Sequence, residues 1–154
     1  LFLGREIIKF NLGPFSILDR KAMRKATEEG LKRTGVKIPK LDNAIRHMSG
    51  GQRQCVAIAR SASFASKLII MDEPTAALGP HETQMVAELI QELKAQGLGI
   101  FLIEHDIHNV MKLCDRASVM KNGQLVGTVN VNEVTDDDIL GMIILGKKPA
   151  HLAA

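Results

Sequence analysis

The stretch Leu68-Ile69-Ile70-Met71-Asp72-Glu73-Pro74 decides the fold. Four consecutive apolar residues read as a short, fully buried strand of a parallel sheet. Asp72 and Glu73 then stand at its carboxyl end, the side of an open α/β sheet where ligands bind. Consecutive side chains on an extended backbone point to opposite sides, so the two carboxylates cannot share one role. An acid pair at that place suits a magnesium-nucleotide site, one carboxylate for the metal shell and one for the attacking water. The plainer alternative is a buried strand ending in a solvated acidic turn, with Pro74 as helix breaker. The motif alone leaves both open.

Working outward, a helix is expected just upstream. Cys55, Ile58, Ala59 and Ala62 recur at helical spacing, which gives one apolar stripe. Ser49 stands at or just before its N-cap, and Gly50 and Gly51 remove side chains where the backbone turns in. Bare amides and a hydroxyl at a helix start can seat an anion; a plain serine-capped helix after a Gly-Gly turn has the same sequence. Downstream, Met85, Val86, Leu89, Ile90 and Leu93 mark an amphipathic helix ending near Gln96-Gly97. Gly99 to Glu104 reads as a second buried strand, with His105-Asp106 at its carboxyl end. His105 there could donate to a phosphate oxygen or simply cap the next helix.

The flanks are plainer. Leu1 to Ile8 shows no clear strand or helix boundary, and Gly13-Pro14 punctuates a loop. Asp19 is a suitable N-cap for a helix to about Thr34, with Gly35 at C′. Pro39 to Arg46 is read as a connector. Ile107, Val110, Met111 and Cys114 outline a short helix. Ala117 to Met120 and Gln124 to Val131 flank Asn122-Gly123, a two-residue hairpin signal. Asp136, Asp137 and Asp138 suit the first turn of a last helix, where negative charge complements the dipole. Strand-helix-strand-helix-strand order argues for a parallel α/β sheet. The part before Leu68 reads as nearly strand-free and helical.

Composition narrows the function classes. A chain of 154 residues with 45% apolar and 24% charged content is an ordinary globular domain. The net charge of +3 is small, the basic residues are scattered, and the aromatics are five Phe. Nucleic-acid binding is therefore not expected. The apolar run Met142 to Leu145 is too short to span a bilayer, so the chain is not itself expected to be transmembrane. Cys55 and Cys114 lack metal or disulfide spacing, which points to reduced thiols.

Taken together, Met48 to Gln54 (MSGGQRQ), Leu68 to Gly79 (LIIMDEPTAALG) and Leu102 to Asp106 (LIEHD) resemble the ATP-binding subunit of an ABC transporter. The opening LFLGRE and the AALG variant resemble the subunits that energise import of simple sugars such as ribose, xylose or fructose. The resemblance runs from about Leu1 to Leu145. It implies part of a RecA-like P-loop NTPase sheet with a helical subdomain: 1–66 helical and 67–154 the C-terminal part of the ATP-binding α/β core. It implies that Ser49, Gly50, Gly51 and Gln52 contact the γ-phosphate of ATP bound mainly by the opposite subunit. Asp72 would support Mg2+, usually through water, Glu73 would polarise the attacking water, and His105 would hydrogen-bond the γ-phosphate. Gly79 stands where the family usually has Asp. The implied partners are a second nucleotide-binding subunit and membrane permease subunits, at the cytoplasmic face of the inner membrane.

One motif is missing. No G-x-x-x-x-G-K-[ST] loop occurs in the sequence, and that loop would supply the amides, lysine and hydroxyl that hold phosphates and Mg2+. The expectation is an incomplete chain, without the N-terminal strands, that is inactive alone although its parent hydrolyses ATP. The competing reading is a non-catalytic module that only docks to a partner. Soluble ABC ATPases of translation or DNA repair form a third class, which AALG and the lack of a heptad insertion before Ser49 oppose.

Overall fold

A computed structural model describes residues 1–11, 15–36, 41–65 and 67–152. The loop expected at Gly13-Pro14 and part of the connector from Pro39 lie outside the described residues. The backbone divides into two compact units, Leu1–Phe101 and Leu102–Ala154.

The first unit opens with β1 (Ile8–Phe10) and β2 (Ile17–Leu18), an antiparallel pair in which Ile8 faces Leu18. Among the described residues, these five are the strand content of a segment read as nearly strand-free. Strands of three and two residues are too short to display an alternation that sequence patterning detects. Helix α1 (Arg20–Arg33) starts at Asp19, whose carboxylate accepts the Ala22 N–H at 2.8 Å. It ends at Thr34, followed by Gly35 at φ 69°, a backbone conformation that glycine adopts without steric cost. A single 3-10 turn (Ile45–His47) interrupts the expected connector.

Helix α2 (Gly50–Phe64) packs on α3 (Pro80–Ala95) and less extensively on α1. Cys55, Ile58, Ala59 and Ala62 of α2 are buried as the stripe demands, and so are Val86, Leu89, Ile90 and Leu93 of α3, whereas Met85 is half-buried. Burying a side chain such as Ile90 contributes roughly 1.5–3 kcal/mol. Strand β3 (Leu68–Asp72) pairs with β4 (Gly99–Ile103), which runs on into the second unit. The Gly99 N–H donates to the Lys67 carbonyl at 2.8 Å, so both strands begin at the same end and the pair is parallel, as a helical crossover requires.

The strand is not buried on both faces as expected. Ile69 and Met71 are buried, whereas Leu68 and Ile70 are 57% and 66% exposed. Phe101 and Ile103 of β4 are exposed as well. A continuous apolar run cannot reveal that one face is uncovered, because period-2 geometry assigns alternate residues to opposite faces whatever lies beyond them.

The second unit holds α4 (Ile107–Leu113), β5 (Arg116–Lys121), β6 (Gln124–Asn130) and α5 (Asp136–Leu145). Strand β5 does not extend the parallel pair: among the described residues it pairs antiparallel with β6 in its own two-stranded sheet. Asn122 at φ 50° and Gly123 at φ 77° make the connecting turn, the left-handed pair that matches strand twist in two-residue hairpins. Ala117, Val119, Val129, Val134, Ile139 and Met142 form the core, with Ile107, Val110 and Met111 packed against it. The α4 stripe also includes Leu113, which is buried, while Cys114 is the C-cap. Thr135 and Asp138 cap α5 reciprocally, at 3.2 Å and 2.9 Å. Gly146 closes it at φ 69°.

Candidate functional site

Three groups of predicted residues are placed by three local structures. The first is the amino end of α2. Ser49 is its N-cap, with extended backbone. Its hydroxyl accepts the Gln52 N–H at 3.3 Å, and the Gln52 side chain accepts the Ser49 N–H at 3.1 Å. Ser and Gln three residues apart satisfy two otherwise orphan donors reciprocally. The Arg53 guanidinium donates to the Met48 carbonyl at 2.8 Å and fixes the entering chain.

Sequence reasoning missed Glu82. Its carboxylate accepts the Gly51 N–H at 3.1 Å. Bonds from Gly51, from the Ser49 hydroxyl and from the Gly79 N–H, together with the charge of Arg53, hold Glu82 below the ordinary glutamate range, with Gly51 the largest cause. The glycine at 51 is demanded by packing. A Cβ there would sit 2.7 Å from the Glu82 Cβ and 3.2 Å from its Cα. A signal for Glu82 existed in the sequence: an acid in the first turn of a helix, three residues after a poorly capping Gly79. Its bond to Gly51, 31 positions away, had no such signal.

The second group is Asp72 and Glu73. Asp72 is the last residue of β3 and is exposed. Glu73 follows at φ 44°, a left-handed conformation that non-glycine residues rarely take. It is also exposed, while Pro74 and Thr75 behind it are buried. Two successive turns close the loop to α3: Ala76 N–H donates to Glu73 O at 3.1 Å, and Leu78 N–H to Thr75 O at 3.3 Å. Ala77 is also left-handed, at φ 59°. Gly79 is not required by the backbone, since its φ is −73° and nothing lies within 4 Å of a Cβ there. The Asp usual in the resembled family would fit at that position. Among the described residues no three metal-ligating side chains converge. A single carboxylate such as Asp72 still fits Mg2+ chemistry, because that ion is commonly held by one or two carboxylates plus substrate phosphates.

The third group is His105, in the second unit. Its side chain is 69% exposed, next to Glu104 at 1%. The buried Glu104 carboxylate accepts the backbone N–H of His105 at 3.0 Å and of Asp106 at 3.3 Å. The His105 Nδ1 lies 3.7 Å from the same oxygen. Helix capping falls to Asp106, which accepts the His108 N–H at 2.9 Å. His105 is therefore not the cap of α4. The result is an exposed imidazole on a backbone held by a buried acid, able to donate or accept a hydrogen bond. A cavity of about 330 Å³ opens elsewhere, between the end of α1 and α2 and α3; of the predicted residues it includes only Gln52.

The family model described as ABC transporter matches residues 6–76. The fructose import ATP-binding protein FrcA of Rhizobium meliloti is 41% identical over 99% of this chain and 60% of its own length. The ribose import ATP-binding protein RbsA of Lactococcus lactis is 42% identical over 94% of this chain and 28% of its own length. The solved structure of CbiO1 from Clostridium perfringens, part of an ABC transporter complex, superposes with a TM-score of 0.63 at 36% identity. That match covers 76% of this chain and 47% of the other. The chain thus spans between about a quarter and three fifths of the relatives it matches.

Proposed function

We propose, for a chain that carries part of the fold of an ABC transporter ATP-binding domain, that it forms the portion of a sugar-import ATPase that senses the γ-phosphate and directs water. Residues 1–66 would be the helical part bearing the glycine-rich contact, and 67–154 the C-terminal part of the α/β core. Ser49, Gly50, Gly51 and Gln52 would meet the γ-phosphate of ATP held mainly by a second nucleotide-binding subunit. Asp72 would support Mg2+, Glu73 would polarise water, and His105 would hydrogen-bond the γ-phosphate. Membrane permease subunits would be the partners, at the cytoplasmic face of the inner membrane. Among the described residues no helix is long and apolar enough to cross a membrane.

The observation that carries this reading is the local geometry at Glu73. A carboxylate on a left-handed residue directly after a strand end holds backbone strain of the kind concentrated at functional sites. The alternative docking module has no physical need for that strain.

Phosphoryl transfer needs the phosphates gripped as well as the water aligned, and none of these 154 residues supplies the glycine-rich loop with lysine. The expected outcome for the 154-residue chain is no calorimetric binding of Mg-ATP below millimolar concentration; submillimolar binding refutes that expectation. In an assembled ATPase containing this stretch, Glu73→Gln should abolish turnover while nucleotide stays bound. Normal turnover in that variant removes Glu73 from the mechanism and favours the docking module.

A further inference from the structure

One carboxylate joins the amino ends of two helices. Glu82 lies in the first turn of α3 and accepts the N–H of Gly79, the N-cap of its own helix. The same side chain accepts the Gly51 N–H at 3.1 Å and the Ser49 hydroxyl, both at the start of α2. Helix amino ends carry unpaired donors and partial positive charge, so two of them side by side favour an anion strongly. Here that anion belongs to the protein itself.

We propose that Glu82 is a resident anion on the glycine-rich end of α2, and that a phosphate group reaches Ser49 and Gly51 only by displacing it. This rests on the reading of Ser49–Gln52 as phosphate contacts and adds a regulatory element to it. The argument is one of valence and charge. The Gly51 N–H is a single donor, and Glu82 already holds it. A phosphate arriving beside an undisplaced carboxylate would meet like charge at contact distance, which opposes binding. Displacement is locally feasible, because Glu82 is linked to α2 through its side chain and needs only a rotamer change to release Gly51. The close approach of α3 to Gly51 remains, since Glu82 Cα and Cβ hold it regardless of the carboxylate. The contact thus separates into a fixed packing part and a movable charged part.

The Glu82→Gln variant isolates the charged part. It keeps the size of the side chain and an acceptor oxygen for Gly51. The test is amide NMR of the full 154-residue chain, titrated with inorganic phosphate at constant ionic strength and followed at Gly51 and Gln52. Glu88→Gln serves as control; it removes the same charge from the exposed side of the same helix. Glu82→Gln should bind phosphate about tenfold more tightly than wild type, and Glu88→Gln should match wild type. Equal affinity in wild type and Glu82→Gln overturns the resident-anion role and leaves the phosphate reading standing. An equal gain in both variants also overturns it, since the effect would then be net charge alone. Absence of shifts at Gly51 in all three proteins overturns this inference, because releasing Glu82 then opens no phosphate site, and it leaves the contact with ATP held by a second subunit standing.

Discussion

Gly51→Ala places a methyl carbon 2.7 Å from the Glu82 Cβ, 3.1 Å from its Cγ and 3.2 Å from its Cα. The nearest atoms belong to the stem of the side chain and the backbone of α3, so no end-group rotation relieves the overlap. Helices α2 and α3 must separate instead. Overpacking of this kind costs about 1–3 kcal/mol. Replacing glycine by alanine inside a helix returns roughly 0.5–1 kcal/mol, and less in the first turn, where Gly51 lies. The net loss should be about 1–2 kcal/mol. Two other glycines calibrate the measurement. A Cβ on Gly50 meets Leu78 Cδ2 at 3.2 Å and a Glu82 carboxylate oxygen at 3.4 Å, both ends of side chains that can turn away. A Cβ on Gly30, within α1, meets Ser63 Oγ at 3.3 Å. Urea unfolding followed by far-ultraviolet circular dichroism should therefore rank Gly30→Ala at or above wild type, Gly50→Ala close to it, and Gly51→Ala lowest. At a slope of roughly 2 kcal/mol/M, the Gly51→Ala midpoint should fall by about 0.5–1 M. A Gly51→Ala protein as stable as wild type would show that α3 does not constrain this residue, and the packing argument would fail.

Three further outcomes follow from other parts of the chain. Glu82 is held below its ordinary value of 4.5, first by the Gly51 N–H and then by Ser49, Gly79 and Arg53. Its stabilising effect is therefore present above that value and is lost as pH falls through the lowered folded one. Acid titration of stability should show a shallower loss in Glu82→Gln than in wild type, and identical acid limbs would contradict the contact. Met142 is fully buried in the second unit, so Met142→Ala should cost about 2–5 kcal/mol, measured as loss of protected amides of Val119 and Val129 in hydrogen exchange. Gly123 turns the β5–β6 hairpin at φ 77°, and Gly123→Ala should cost roughly 1–2 kcal/mol; an unchanged melting temperature would argue against the left-handed turn.

Local rules made much of this protein legible without coordinates. Asp19 and Ser49 act as N-caps and Asp136, Asp137 and Asp138 fill the first turn of α5, because such signals depend on a side chain and the few amides beside it. The helical stripes of α2 and α3 are buried, and Asn122-Gly123 turns a hairpin, because periodicity and turn chemistry are encoded within a few residues. The position of Asp72 and Glu73 at a strand end was legible for the same reason.

Contacts between distant segments were decided only by the tertiary structure. No pattern in the sequence says that α3 crosses α2 closely enough to exclude a methyl at Gly51, or that Glu82 reaches its amide. Nor does a run of apolar residues disclose whether both faces of β3 are covered. Each of these is a relation in space between pieces of chain whose separation in sequence carries no local signal, and packing alone determines which of them meet.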